Sequence, residues 1–209
     1  DPTPTELISL TAFYKLIKNP ISRIEVASAG GYLSYENIAD KATVAGVEVE
    51  VRKNLFVRPL SSAANGMNKL SFGLNGSYIY TNAKMPLATV TTGSQLEGAA
   101  PWIANFDLSH NFTKGNHSFI NTLVFNYVSD KIYTIGTQGY QDIIEQGMMM
   151  LDFVSQAKLN KYVSLTLKAR NLLNPSYKLS RKANESGEKV VLSDYKKGIN
   201  ISLGVSCTF

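Results

Sequence analysis

The chain has 209 residues, 44% of them hydrophobic and only 18% charged, with a formal net charge of +5. A disordered tail combines low hydrophobicity with high charge, and a coiled coil needs heptads rich in Ala, Glu, Lys, Leu and Arg; this chain has neither. The 21 basic residues are scattered, with the densest groups at Lys178–Arg181–Lys182 and Lys196–Lys197, so the clustered stripe of a nucleic-acid binder is not expected.

Taken from the N-terminus, the chain repeats one pattern of period two. Leu10, Ala12, Tyr14 and Leu16 oppose Ser9, Thr11 and Lys15, with Phe13 interrupting the polar side. Val47, Val49 and Val51 oppose Glu48, Glu50 and Arg52. Leu70, Phe72, Leu74, Tyr78 and Tyr80 oppose Ser71, Gly73, Asn75 and Ser77. Trp102, Ala104, Phe106 and Leu108 oppose Ile103, Asn105, Asp107 and Ser109, and Leu123, Phe125 and Tyr127 oppose Thr122, Val124 and Asn126. Leu151, Phe153, Ala157 and Leu159 oppose Asp152, Val154, Gln156 and Lys158; Val163, Leu165, Leu167 and Ala169 oppose Ser164, Thr166, Lys168 and Arg170. In the final stretch Ile199, Ile201, Leu203, Val205, Cys207 and Phe209 alternate with Gly198, Asn200, Ser202, Gly204, Ser206 and Thr208 without an error. Side chains alternate across a strand, so each segment carries one apolar and one small polar face. With a short strand near Tyr177–Ala183, the expectation is an all-β antiparallel meander of about nine strands, with no helical stripe anywhere.

Two classes of all-β protein carry such alternation. A soluble sandwich or lipocalin-like barrel turns the apolar face inward. A membrane barrel turns it to lipid, with strands of about 9–11 residues and aromatics at both rims. Long strands, a Ser/Asn/Thr/Gly-rich opposing face bearing charges of both signs, and aromatics towards strand ends (Tyr14, Tyr78, Tyr80, Trp102, Tyr127, Tyr133, Tyr162, Phe209) favour the membrane.

Met150–Tyr177 adds a motif argument: Asp152 opens one strand, Asn160–Lys161 turns, a second alternating strand follows, and Asn171-Leu-Leu-Asn-Pro-Ser-Tyr177 closes it. This resembles the closing strands of TonB-dependent outer-membrane receptors. Upstream, Leu10–Ile21 resembles the family's F-Y-x-x-I-x-x-x-I strand, Ala45–Glu50 its G-V-E-x-E strand, and Ala100–Ser109 its P-x-x-x-x-N-x-x-L strand. The style of sequence is similar to receptors from the Bacteroidetes. The resemblance implies a segment from the C-terminal part of an outer-membrane barrel of about 22 strands. Residues 1–209 would then be a single partial barrel domain lacking the plug domain and the N-terminal barrel strands, consistent with a start, Asp1-Pro-Thr-Pro-Thr, that has no initiator Met. It further implies uptake of a scarce ligand (siderophore, cobalamin, oligosaccharide or peptide) in the bacterial outer membrane, driven by TonB. The implied partners are outer-membrane lipid, the missing strands and plug, the TonB complex through that plug, and the barrel assembly machinery, which reads a terminal aromatic such as Phe209. A small complete barrel of eight to ten strands with a structural or adhesive role, and a soluble β-sandwich or lipocalin-like binder, are the alternatives.

Counting nine strands back from a periplasmic C-terminus places Lys53–Lys69, Lys114–His117, Asn160–Tyr162 and Ser180–Lys197 outside. The candidate ligand-contacting residues are then Arg58, Asn65, Asn68, Lys114, His117, Lys182, Glu185 and Lys189. Lumen charges such as Glu48, Arg52, Asp107, Lys168 and Arg170 are expected to form cross-strand pairs. No enzyme is expected: Asp107 and Asp152 have no His at a useful spacing, there is no GxSxG or P-loop, and Glu48 and Glu50, about 7 Å apart on one face, read as a wall paired with Arg52. The lone Cys207 excludes an intrachain disulfide and reads as a small lipid-facing hydrophobe, and neither a cofactor nor a metal site is expected. No run approaches the roughly 18 apolar residues of a transmembrane helix.

Overall fold

The computed structural model describes residues 6–26, 31–60, 66–84, 95–137, 139–183 and 187–208. Fourteen strands account for most of them: β1 (Leu7–Lys18), β2 (Ile21–Glu25), β3 (Leu33–Asn37), β4 (Lys41–Leu60), β5 (Gly66–Ala83), β6 (Trp102–Lys114), β7 (His117–Val128), β8 (Lys131–Thr134), β9 (Ile143–Glu145), β10 (Met148–Lys158), β11 (Val163–Arg170), β12 (Ser176–Lys182), β13 (Lys189–Lys196) and β14 (Asn200–Cys207). Eight form one antiparallel sheet in the order β1-β4-β5-β6-β7-β10-β11-β14. The other six make two small sheets, β13-β12-β9-β8 and β2-β3.

Register makes the alternation continuous across the large sheet. Leu74 lies opposite Phe106, Phe106 opposite Phe125 and Phe125 opposite Leu151, so four apolar side chains form one row. One residue along, Glu50, Asn75, Asn105 and Asn126 form the matching row on the other face. A one-residue slip anywhere would mix the faces, so the alternation itself holds the register. Phe13, the exception in the first strand, lies opposite Gly46 on the polar face. Its ring covers that glycine so closely that a Cβ on residue 46 would collide with it.

The apolar face covers nothing. Leu10 is 73% exposed and Leu203 71%, and Tyr14, Leu16, Val47, Val49, Leu74, Tyr80 and Val205 are exposed too. A soluble sandwich or lipocalin-like barrel would bury this face. The buried hydrophobic side chains lie elsewhere, in Ile24, Ile38, Ile132 and Ile135 and in Ala39, Ala42, Ala83 and Leu96. Both clusters lie at one end of the sheet, in its connections and, for Ala42 and Ala83, in the adjoining ends of β4 and β5.

Those connections correct the expected strand count and the expected sidedness. Tyr177–Ala183 is not a ninth strand of the wall; as β12 it pairs with β13 and β9 in a separate sheet. Residues 19–40, 84–101, 129–147 and 171–199 all leave the sheet at the same end. The short links Gly115–Asn116 and 159–162, the Leu60 and Gly66 ends of β4 and β5, and the Cys207 end lie at the other. With eight strands instead of nine, parity flips, and Lys53–Lys69, Lys114–His117 and Asn160–Tyr162 lie opposite Ser180–Lys197 rather than beside it. Among the described residues β1 and β14 remain open edges, so the sheet does not close into a small complete barrel.

Candidate functional site

The four long connections fold together into a cap. Backbone hydrogen bonds run from Glu25 N to Ile135 O (3.2 Å), from Ile135 N to Arg23 O (3.0 Å) and from Gly98 N to Ile132 O (2.8 Å), joining three connections. Arg23 lies at their junction. Its guanidinium donates to Tyr133 O, forms an ion pair with Glu97 at 3.1 Å and stacks 3.7 Å from the Tyr133 ring centroid. Such a planar, multi-donor clamp is a role Lys cannot fill. Arg181 joins the fourth connection to the first through Glu25, and Lys131 pairs with Glu145 at 3.2 Å. The Tyr177 hydroxyl donates to Glu145 Oε2 at 3.3 Å. Burial, reinforced by that carboxylate, pushes the Tyr177 phenol up to about 12.

The cap carries an open cleft of about 320 Å³ lined by Asp130, Gln141, Asp142, Arg181, Lys182 and Lys189, among others. Its wall is mostly apolar surface, with Ile144 among the lining side chains, and carries three cationic side chains and two carboxylates. Arg181 Nε is buried with no protein partner. Arg181, Lys182 and Lys189 bring the cationic groups to its wall, as a site with a few polar groups on an apolar lining requires.

Of the described candidates named from sequence, Lys182 and Lys189 meet in this cavity. Arg58 and Asn68 face each other across β4 and β5 near the short-turn end, and Asn68 Oδ1 lies 2.8 Å from His110 Nε2. Lys114 and His117 flank Gly115–Asn116, a two-residue link with Gly115 at φ 57°, as in a II′ hairpin. These four are at the end away from the cavity. Asn65, Glu185 and Phe209 lie outside the described residues. Sequence reasoning missed Asp130, Gln141 and Asp142, which come from a connection with no alternation; Arg181 was visible only as part of a basic group.

The wall charges also pair differently from expectation. Arg52 Nε contacts Glu50 Oε1 at 2.7 Å, along one strand rather than across two. Asp107 lies over Gly73 on the neighbouring strand, where a Cβ would meet its carboxylate. Lys168 and Arg170 form no ion pair among the described residues.

At the foot of the cap, the Asn171–Tyr177 turn is a hydrogen-bonded knot. Asn171 and Asn174 both take left-handed backbone, φ 59° and 43°, a region Asn tolerates better than most residues. Asn171 N donates to Asp152 Oδ1 (2.8 Å), its Nδ2 to Gly198 O (2.6 Å), and Gly198 N to Asn174 Oδ1 (3.0 Å). The spacing of Asp152, Asn171 and Asn174 thus ties both ends of the 171–199 connection to β10. The family model described as TonB dependent receptor-like, beta-barrel matches residues 3–172. The chain belongs to the TonB-dependent receptor β-barrel family. No curated protein and no solved structure matches it. In a TonB-dependent receptor barrel, the exposed apolar face is the lipid-facing face of an outer-membrane transport protein, and the polar rows line the lumen. Cys207, opposite Val163 on the apolar face, is exposed and free.

Proposed function

We infer that this chain is the C-terminal part of the barrel wall of a receptor in the Gram-negative outer membrane. It takes up a scarce ligand (a siderophore, cobalamin, an oligosaccharide or a peptide) using energy transmitted by TonB. The observation that carries the reading is the eight-stranded sheet whose apolar face is bare while its polar face is capped at one end. Its unpaired β1 and β14 edges suit the remaining strands of a larger barrel, since open edges otherwise invite aggregation. Residues 1–209 act as one partial barrel domain around a plug through which TonB acts. The chain binds and passes its ligand and catalyses nothing.

With the C-terminus on the periplasmic side, the cap faces outside. Arg181, Lys182 and Lys189 then meet the ligand first, whereas Arg58, Asn68, Lys114 and His117 serve the periplasmic rim. Two tests apply. Whole cells carrying Lys189→Cys should react with a membrane-impermeant maleimide, while His117→Cys should react only after lysis; the reverse pattern contradicts the orientation. Deleting the gene, or TonB, should abolish uptake of one of the four ligand classes; unchanged uptake of all four contradicts the transport reading.

A further inference from the structure

The outer face carries a feature that ligand uptake does not use. Lys18 on β1 lies directly opposite Lys41 on β4, and Ala42 opposite Ala83 on β5. The ladder continues one step further through Lys84 N to Lys41 O at 3.2 Å, which sets Lys84 opposite Lys41. Three lysines thus stand in one row across three adjacent strands, about 4.8 Å between neighbouring strands. All three are exposed. Ala42 and Ala83, one position along, are buried on the other face with Leu96, so the row belongs to the apolar, outward side. Asp40 precedes Lys41 in the chain, yet no described carboxylate forms an ion pair with Lys18, Lys41 or Lys84. Like charges directly opposite each other on a sheet are destabilising. An unneutralised row of three makes sense against an anion.

The surroundings identify the kind of anion. Moving away from the cap along the same face, the next row is Leu16, Thr43 and Asn82, and the one after it Tyr14, Ala45 and Tyr80. Tyr78 and Trp102 follow, rings 4.5 Å apart. Apolar and aromatic side chains at this level mark the boundary between hydrocarbon and headgroups. The lysines stand just beyond that boundary, at headgroup height, with Thr43 and Asn82 as further polar groups below them. We propose that Lys18, Lys41 and Lys84 form a binding site for the phosphates of a phosphorylated lipid headgroup in the leaflet surrounding the cap. This rests on the reading that the apolar face is embedded in lipid.

The test uses the product of the full gene, purified from outer membranes and reconstituted into nanodiscs of phosphatidylethanolamine and bisphosphorylated lipid A. Bound lipid A is read by native mass spectrometry for the wild type, single Lys→Gln variants and the triple variant. A Lys53→Gln variant, on the outward face at the opposite end, serves as the control. Each lysine lost should weaken retention about fivefold, and the triple variant about a hundredfold. Dephosphorylated lipid A should bind as weakly to the wild type as lipid A does to the triple variant, and inorganic phosphate should not displace the lipid. Equal retention by wild type and triple variant overturns the proposal, as does full competition by inorganic phosphate. A fluorophore on Leu16→Cys, quenched by brominated lipid, tests embedding separately. Quenching with unchanged retention defeats only the lysine site, whereas absent quenching defeats the embedding on which it rests.

Discussion

Replacing Asn171 tests whether the turn motif acts through backbone conformation, hydrogen bonding or both. The residue holds φ 59° and donates Nδ2 to Gly198 O at 2.6 Å. Asn171→Gly keeps the backbone at ease and loses the side-chain bond, a net cost of about 1 kcal/mol. Glycine's freedom in the open state and the relief of left-handed strain are of similar size and opposite sign. Asn171→Ala loses the same bond and adds about 1–2 kcal/mol for a Cβ in the left-handed region. The 171–199 connection should then open about fivefold more often in the Gly variant, and roughly 30- to 150-fold more often in the Ala variant. Hydrogen exchange at the Gly198 and Leu172 amides, which donate to Asn174 Oδ1 and Leu151 O, reads this directly. Equal exchange in the Gly and Ala variants would remove the conformational half of the argument; exchange unchanged in both would refute it whole.

Three other outcomes are expected. Gly46→Ala should destabilise the barrel by about 1–3 kcal/mol, because a Cβ there meets the Phe13 ring and lies 2.7 Å from the Tyr78 carbonyl oxygen; Gly73→Ala, whose nearest obstacle is the rotatable Asp107 carboxylate, should cost less, and urea-induced unfolding of the two variants compares them. Arg23→Met should loosen the cap by about 1.5–3 kcal/mol, since Glu97 and Tyr133 O lose a charged donor, and limited proteolysis of residues 19–40 would report it. The Tyr177 phenol should titrate near 12 and move down in Glu145→Gln. With an unfolded value near 10, the unfolded state releases this proton first, so the cap's stability is whole below pH 10 and falls as pH rises towards 12. Carbon-labelled tyrosine resonances with Tyr177→Phe for assignment check both statements.

What the sequence made legible follows from period two. Every strand of the wall with an apolar–polar alternation was found, and the register confirms the faces down to Leu74, Phe106, Phe125 and Leu151. Ends were missed where the strand outruns its apolar stretch: β4 continues to Leu60 and β5 begins at Gly66, because outside the hydrocarbon no rule demands alternation. The cap was illegible for a related reason. Its β2, β3, β8 and β9 strands are three to five residues long, too short for a period to register, and their burial depends on partners as far as 156 residues away, as the Arg181–Glu25 pair illustrates. Counting one of its strands as wall was enough to invert the expected sides. The Asn171–Tyr177 motif was recognised by resemblance; the knot through Asp152 and Gly198 supplies its physical reason.

The central claim is that the alternating faces separate lipid from lumen. A cysteine scan of Ile103 to Ser109 in β6, a strand paired on both sides, tests it most directly, with Cys207→Ser as background and the full gene product in vesicles containing brominated lipid. Probes at 104, 106 and 108 should be quenched by lipid and resist a water-soluble quencher, and those at 103, 105, 107 and 109 should do the opposite. Equal quenching along the strand, or an inverted alternation, would contradict the membrane barrel.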